Sequence, residues 1–340
     1  MITITKLKKK AQQKKIPLYT TFNKEELIDA LSTKQFSLGW RLKYIKPVVA
    51  SKLEYRNIVY KLFDPVRNIS HNKKVQHFLK KHKVYITMTT SPLRLPKITA
   101  VLATLDLKYV SKIFVVLPYK YGRKKEMYSQ KDITKIKKFP KVHILRIRKD
   151  LGPITKMLPV IEKIHDPKAL IISIDDDVAY PMGMVNEMIY QKIVHSPNCI
   201  IEGGSSFFRR GDIHNFRKLW PQIKKSRKPH IDIVEGWEGI IYNKKLIDTK
   251  LMRELSKLSL DCFLSDDIII SYVLALHNIC RKQINNQYSY NGLPLEYGAQ
   301  ADALHQGGGS GRKDLEIETH SDEYNWEKYQ KCLTTINNLK

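Results

Sequence analysis

Residues 170–181 read LIISIDDDVAYP. An apolar, β-rich run, Leu170–Ile174, stops at three consecutive aspartates: Asp175, Asp176 and Asp177. The chain's formal net charge is +27, so a strongly basic protein places a dense block of negative charge at a strand end. Side chains alternate along a strand, so Asp175 and Asp177 are predicted to project to one side and Asp176 to the other. Two carboxylates on one side repel unless something positive lies between them. Mn²⁺ or Mg²⁺ suits that position, because both take oxygen ligands and combine one or two carboxylates with substrate phosphates and water.

Upstream, VYITM (84–88), KIFVVLP (112–118) and VHILRI (142–147) are further short apolar runs. Stretches of helical spacing, LPKITAVLATL and ITKMLPVIEKI, lie between the runs. Strands alternating with helices predict an α/β domain with a mainly parallel sheet covered on both faces. Ligands of such sheets bind beyond the carboxyl ends of the strands, where the aspartates stand.

A strand followed by Asp-x-Asp resembles the signature of nucleotide-diphospho-sugar glycosyltransferases of the GT-A fold, family-2-like. Five further stretches, in the family's order, carry the resemblance over roughly residues 83–315. MTTSPLRL (88–95) resembles the opening nucleotide-binding turn, which implies contacts from Thr89, Thr90 and Arg94. RKDLGPITKMLP (148–159) is similar to an Asp-x-Gly-Pro-x-x-Lys segment, which adds Asp150, Gly152 and Lys156 to the donor site beside Asp175 and Asp176. VEGWEGIIY (234–242) resembles the segment before the acceptor side, with Trp237 and Glu238. HQGGGSGR (305–312) supplies His305 as a further metal ligand with Asp175 and Asp177.

FLSDDIIISYVLAL (263–276) places Asp266 and Asp267 at the start of an apolar helix with Ser265 as N-cap. Acids in a first turn suit any helix. The resemblance adds a general base drawn from this pair, Asp267 slightly favoured over Asp266. The implied reaction moves a sugar from a nucleotide-diphospho-sugar donor to the hydroxyl of a glycan, protein or small-molecule acceptor. It is expected to invert the anomeric carbon, although fold and metal motif occur with retention too. A sugar nucleotidyltransferase is the alternative enzyme, disfavoured because TMTTSPLRLP has no glycine.

Residues 1–33 pair a basic helix (about 5–15) with a second helix capped by Asn23 and faced by Leu27, Ile28 and Leu31. This pattern resembles SAP-like and Rho-N-like modules, several of which bind nucleic acid. A nucleic-acid-binding protein with an inactive GT-A-like domain is therefore the competing reading. Residues 34–82 are basic and irregular, ending in HNKKVQHFLKKHK, which reads as a linker or surface helix. Residues 83–315 form the expected transferase domain and 316–340 a helical tail. Lysines spread along the whole length fit an anionic partner or a solvated surface equally well.

No run of 18 apolar residues is present and the N-terminus lacks a signal-peptide core. Cys199, Cys262, Cys280 and Cys332 lie far apart without a C-x-x-C pair. That spacing argues against a zinc site or a disulfide framework and for a reducing, cytoplasmic setting.

Overall fold

The computed structural model describes residues 3–14, 20, 24–31, 36–49, 51–63, 66–122, 125–203, 233–284, 292–295 and 321–339. Its centre is a seven-stranded sheet: β1 (Val84–Thr89), β2 (Lys112–Pro118), β3 (Val142–Ile147), β4 (Leu170–Ser173), β5 (Cys199–Glu202), β6 (Ile240–Asn243) and β7 (Cys280–Gln283). The spatial order is β7-β5-β6-β4-β1-β2-β3. β4-β1-β2-β3 run parallel, as do β7 and β5. β6 runs against both of its neighbours. The expected α/β fold with a mainly parallel sheet is present, and its first four strands coincide closely with the four apolar runs.

Period-two alternation distributes the strand side chains between two buried layers. Ile113, Val115 and Leu117 of β2 and Leu170 and Ile172 of β4 enter one layer. Phe114, Val116 and Ile171 enter the other. The first layer is completed by α1 (Ile4–Gln13), α2 (Lys24–Leu31), α3 (Leu38–Ile45), α4 (Lys52–Lys61), α5 (Lys73–Lys81), α6 (Thr99–Thr104), α7 (Gln130–Lys137) and, after α8 in chain order, α9 (Met184–Tyr190). The second is covered by α8 (Leu158–Lys163), α10 (Thr249–Leu255), α11 (Leu260–Phe263), α12 (Asp266–Leu276) and α13 (Ser321–Asn337).

The described residues among the first 82 join this core. Leu7, Ala11 and Leu27 are buried in the same cluster as β1. Arg41 of α3, itself buried, donates to the carbonyls of Ala103 and Leu105 at 2.7 Å each, satisfying groups at the end of α6. Ile28 departs from expectation: it is 51% exposed, so the apolar face of α2 rests on Leu27 with Leu31 partly buried beside it. The predicted cap Asn23 lies outside the described residues.

The cysteines overturn the reading from their spacing. Cys199 pairs with Cys280 and Cys262 with Cys332. Cys199 and Cys280 face each other across the parallel β5–β7 pair, a neighbourhood that a sequence separation of 81 conceals. With both pairs formed, the inference of a reducing, cytoplasmic setting loses its ground. Among the described residues no helix is long and apolar enough to cross a membrane.

Candidate active site

The carboxyl ends of β1 and β4 open onto one charged cluster. β4 ends at Ser173, so the alternation rule stops before the aspartates, and their directions are set by partners instead. Asp175 pairs with Lys156 at 2.7 Å. Arg94 bridges Asp176 (3.1 Å) and Asp177 (2.9 Å) through one guanidinium nitrogen. The expectation that Asp176 would point away from its neighbours is thus corrected: it shares Arg94 with Asp177 and also accepts the Thr90 hydroxyl.

Lys156 is the hub. Its side chain is 5% exposed and reaches Asp266 at 2.9 Å as well as Asp175. Burial alone would lower its pKa, but Asp175, Asp266 and Asp267 together outweigh that and hold it well above the usual lysine value. Gly236 makes room for the ammonium, since a Cβ there would lie 2.4 Å from Lys156 Nζ. The Gly236 N–H donates to Asp267 at 2.8 Å, and the Tyr329 hydroxyl donates to the other Asp267 oxygen at 2.8 Å. Burial and the neighbouring Asp266 push Asp267 up to about 7, against Lys156 and these two donors. Burial, Asp176 and Asp175 push Asp177 up to about 7 as well, with Arg94 opposing.

Among the described residues, Lys156 and Arg94 bring two positive charges to five carboxylates: Asp175, Asp176, Asp177, Asp266 and Asp267. The surplus negative charge, with Asp175 the most open of the ion-paired carboxylates at 29% side-chain exposure, fits a divalent cation. Among the described residues no three His, Cys, Asp or Glu side chains form a complete metal cage. His305 and its glycine run lie outside the described residues.

The remaining expected residues hold the frame. The Thr89 hydroxyl donates to the Val116 carbonyl, between β1 and β2. Asp150 accepts from the N–H groups of Gly122 (2.8 Å) and Gly152 (2.9 Å), so its carboxylate builds the turn leading to Lys156. Gly152 adopts φ +73°, and a Cβ there would sit 2.2 Å from the Phe263 carbonyl oxygen. Gly152→Ala is expected to cost at least about 2 kcal/mol, measurable as a fall in urea midpoint, because strain and clash combine. Lys156 lies in a 3₁₀ turn, Ile154–Lys156, ahead of α8, where a longer helix was expected. Ser265 precedes α12 without a side-chain cap bond; its hydroxyl donates backwards to the Asp261 carbonyl.

Of the residues expected on an acceptor side, Trp237 is half-buried, and its carbonyl accepts the Tyr180 hydroxyl at 2.7 Å. Glu238 is fully buried and accepts the Gly292 N–H at 3.1 Å; burial raises its pKa to about 7. Sequence reasoning missed Tyr180, which also accepts the Asp175 N–H at 2.9 Å and so ties the aspartate turn to Trp237. It missed Tyr329 too, 62 residues from its partner. The Cys262–Cys332 disulfide anchors α13, the helix that carries Tyr329.

No protein-family model matches the chain, and no curated protein matches it. Solved structures do match. One is glucosyl-3-phosphoglycerate synthase from Mycobacterium tuberculosis in complex with Mn²⁺, UDP and glucosyl-3-phosphoglycerate. It is 13% identical, with a TM-score of 0.37, over 71% of this chain and 84% of that one. The same synthase with Mn²⁺, UDP-glucose and phosphoglyceric acid gives 11%, 0.39, 71% and 83%. The likeness is distant. The functional reading rests on the charged cluster.

Proposed function

We propose that this chain is a metal-dependent glycosyltransferase that moves a sugar from a nucleotide-diphospho-sugar to an acceptor hydroxyl, with inversion. One observation carries the reading: among the described residues, five carboxylates converge on two cations beyond the carboxyl ends of parallel strands. Asp175 and Asp177 are the residues that would hold Mn²⁺ or Mg²⁺. The ion would supply Lewis-acid stabilisation of charge on the departing diphosphate.

The chain's own groups do the rest. Lys156 and Arg94 fix the carboxylates and provide positive charge beside the diphosphate. Asp267 accepts the acceptor proton; its pKa of about 7 suits a base working near neutrality. Asp266 is committed to Lys156, which favours Asp267 of the pair. The two disulfides fit an oxidising environment.

Thermal shift with a nucleotide-sugar panel, with and without Mn²⁺, tests the donor site. One donor should stabilise wild type only with metal and fail to stabilise Asp177→Ala. No metal-dependent shift with any donor would remove the transferase reading. The base is tested by pH. The transfer rate is expected to rise through an apparent pKa near 7 as Asp267 ionises. Tyr329→Phe removes a hydrogen bond that favours the ionised form, so the acid limb should move to higher pH.

A further inference from the structure

The stretch 71–83, HNKKVQHFLKKHK, contains five lysines, three histidines and no acid, and the transferase reading leaves it unused. It folds as α5, which turns Val75, Phe78 and Leu79 towards the core. Lys73, Lys74, His77, Lys80 and Lys81 are left exposed. A groove of about 590 Å³ runs between this helix, Ile193 and the turn before β4, with Lys73, Lys74, His77, Phe78, Lys81 and Lys168 in its lining.

The groove lies at the amino ends of the strands: His82 stands just before β1 and Lys168 just before β4. The aspartate cluster occupies the carboxyl ends of the same two strands, about 20 Å away at strand rise. The basic field extends sideways at this end. His143 of β3 is held below its usual pKa by burial and then by Lys112, Lys163 and Lys137. His82, also in the groove's lining, pairs with Asp166 at 2.8 Å, which brings a countercharge beside the groove.

Exposed ammonium groups on flexible stems, without an arginine fork, do not fix a single phosphate in one geometry. They suit repeated phosphates held by charge. α5 spans about 10 Å between its two lysine pairs, roughly three base rises. A membrane surface fits less well, because α5 presents no exposed large apolar side chain to insert; the nearest in sequence are Val66 and Leu93. We propose that this groove docks the phosphodiester backbone of a nucleic acid, without base specificity, on the face opposite the aspartate cluster.

Fluorescence anisotropy with labelled single-stranded and duplex DNA tests this on the full chain. Neutralisation by four lysines gives a log K against log salt slope of about −3 to −4, so affinity should fall about 50- to 150-fold between about 50 and 200 mM salt. The charge reversals Lys73→Glu, Lys74→Glu, Lys81→Glu and Lys168→Glu, combined, should flatten the slope and weaken binding at least about tenfold. All four sites are exposed, and an unchanged melting temperature checks folding. Lys6→Glu, Lys9→Glu and Lys10→Glu on α1 should leave binding nearly unchanged. The proposal is overturned by absence of DNA binding at low salt, or by loss through the α1 reversals alone. Binding confined to phosphatidylserine vesicles would also overturn it and make the groove a membrane contact.

Discussion

Asp267→Asn is expected to lower the transfer rate by about 10²- to 10⁴-fold while donor binding stays within a few-fold of wild type. The amide keeps the shape of the carboxylate and can still accept from Gly236 N–H or Tyr329 O–H. It has no proton affinity in the working range, so the acceptor hydroxyl loses its base. Asp266→Asn should behave differently. Its carboxylate faces Lys156, so the loss should appear in stability and donor binding before it appears in turnover. Single-turnover rates beside donor affinities for both variants separate these roles. If Asp267→Asn transfers sugar at the normal rate, the base lies elsewhere and the inverting mechanism fails with it.

The second large effect concerns the hub. Lys156→Met removes the cation between Asp175 and Asp266 and leaves carboxylates crowded without it. Breaking a buried ion pair on one side typically costs about 3–5 kcal/mol. A fall of that size in the free energy of urea unfolding is expected, since the lysine side chain is 5% exposed and solvent cannot take over its role. Adding Asp266→Asn to Lys156→Met should recover part of the loss by removing one of the stranded charges. An unfolding free energy unchanged in the single variant would show that the network is not under electrostatic tension.

The first four strands and most of the cluster were legible because each rests on a local signal. Apolar runs with β-branched residues name a strand wherever they fall, and Asp175, Lys156, Asp266 and Asp267 stand in short motifs tied to strand ends or helix starts. The directions of the three aspartates were not legible. β4 stops two residues before Asp175, and beyond that point Lys156 and Arg94 decide where each carboxylate goes. The remaining strands, β5 to β7, are four residues each, and the sequence reading named none of them as a strand. Tyr329 and the cysteine pairs are contacts between segments 62 to 81 residues apart, which only the assembled sheet brings together.

The covalent tie between Cys262 and Cys332 bears on how such a protein is handled at the bench. Both cysteines are buried, so dithiothreitol, added by habit to many enzyme buffers, reaches the tie only when the chain opens; once cut, nothing covalent keeps the helix carrying Tyr329 near Asp267. Far-UV circular dichroism would still report a native helix content, so the damage would pass unnoticed in routine quality control. A preparation kept free of reductant is the one whose turnover describes the intact site.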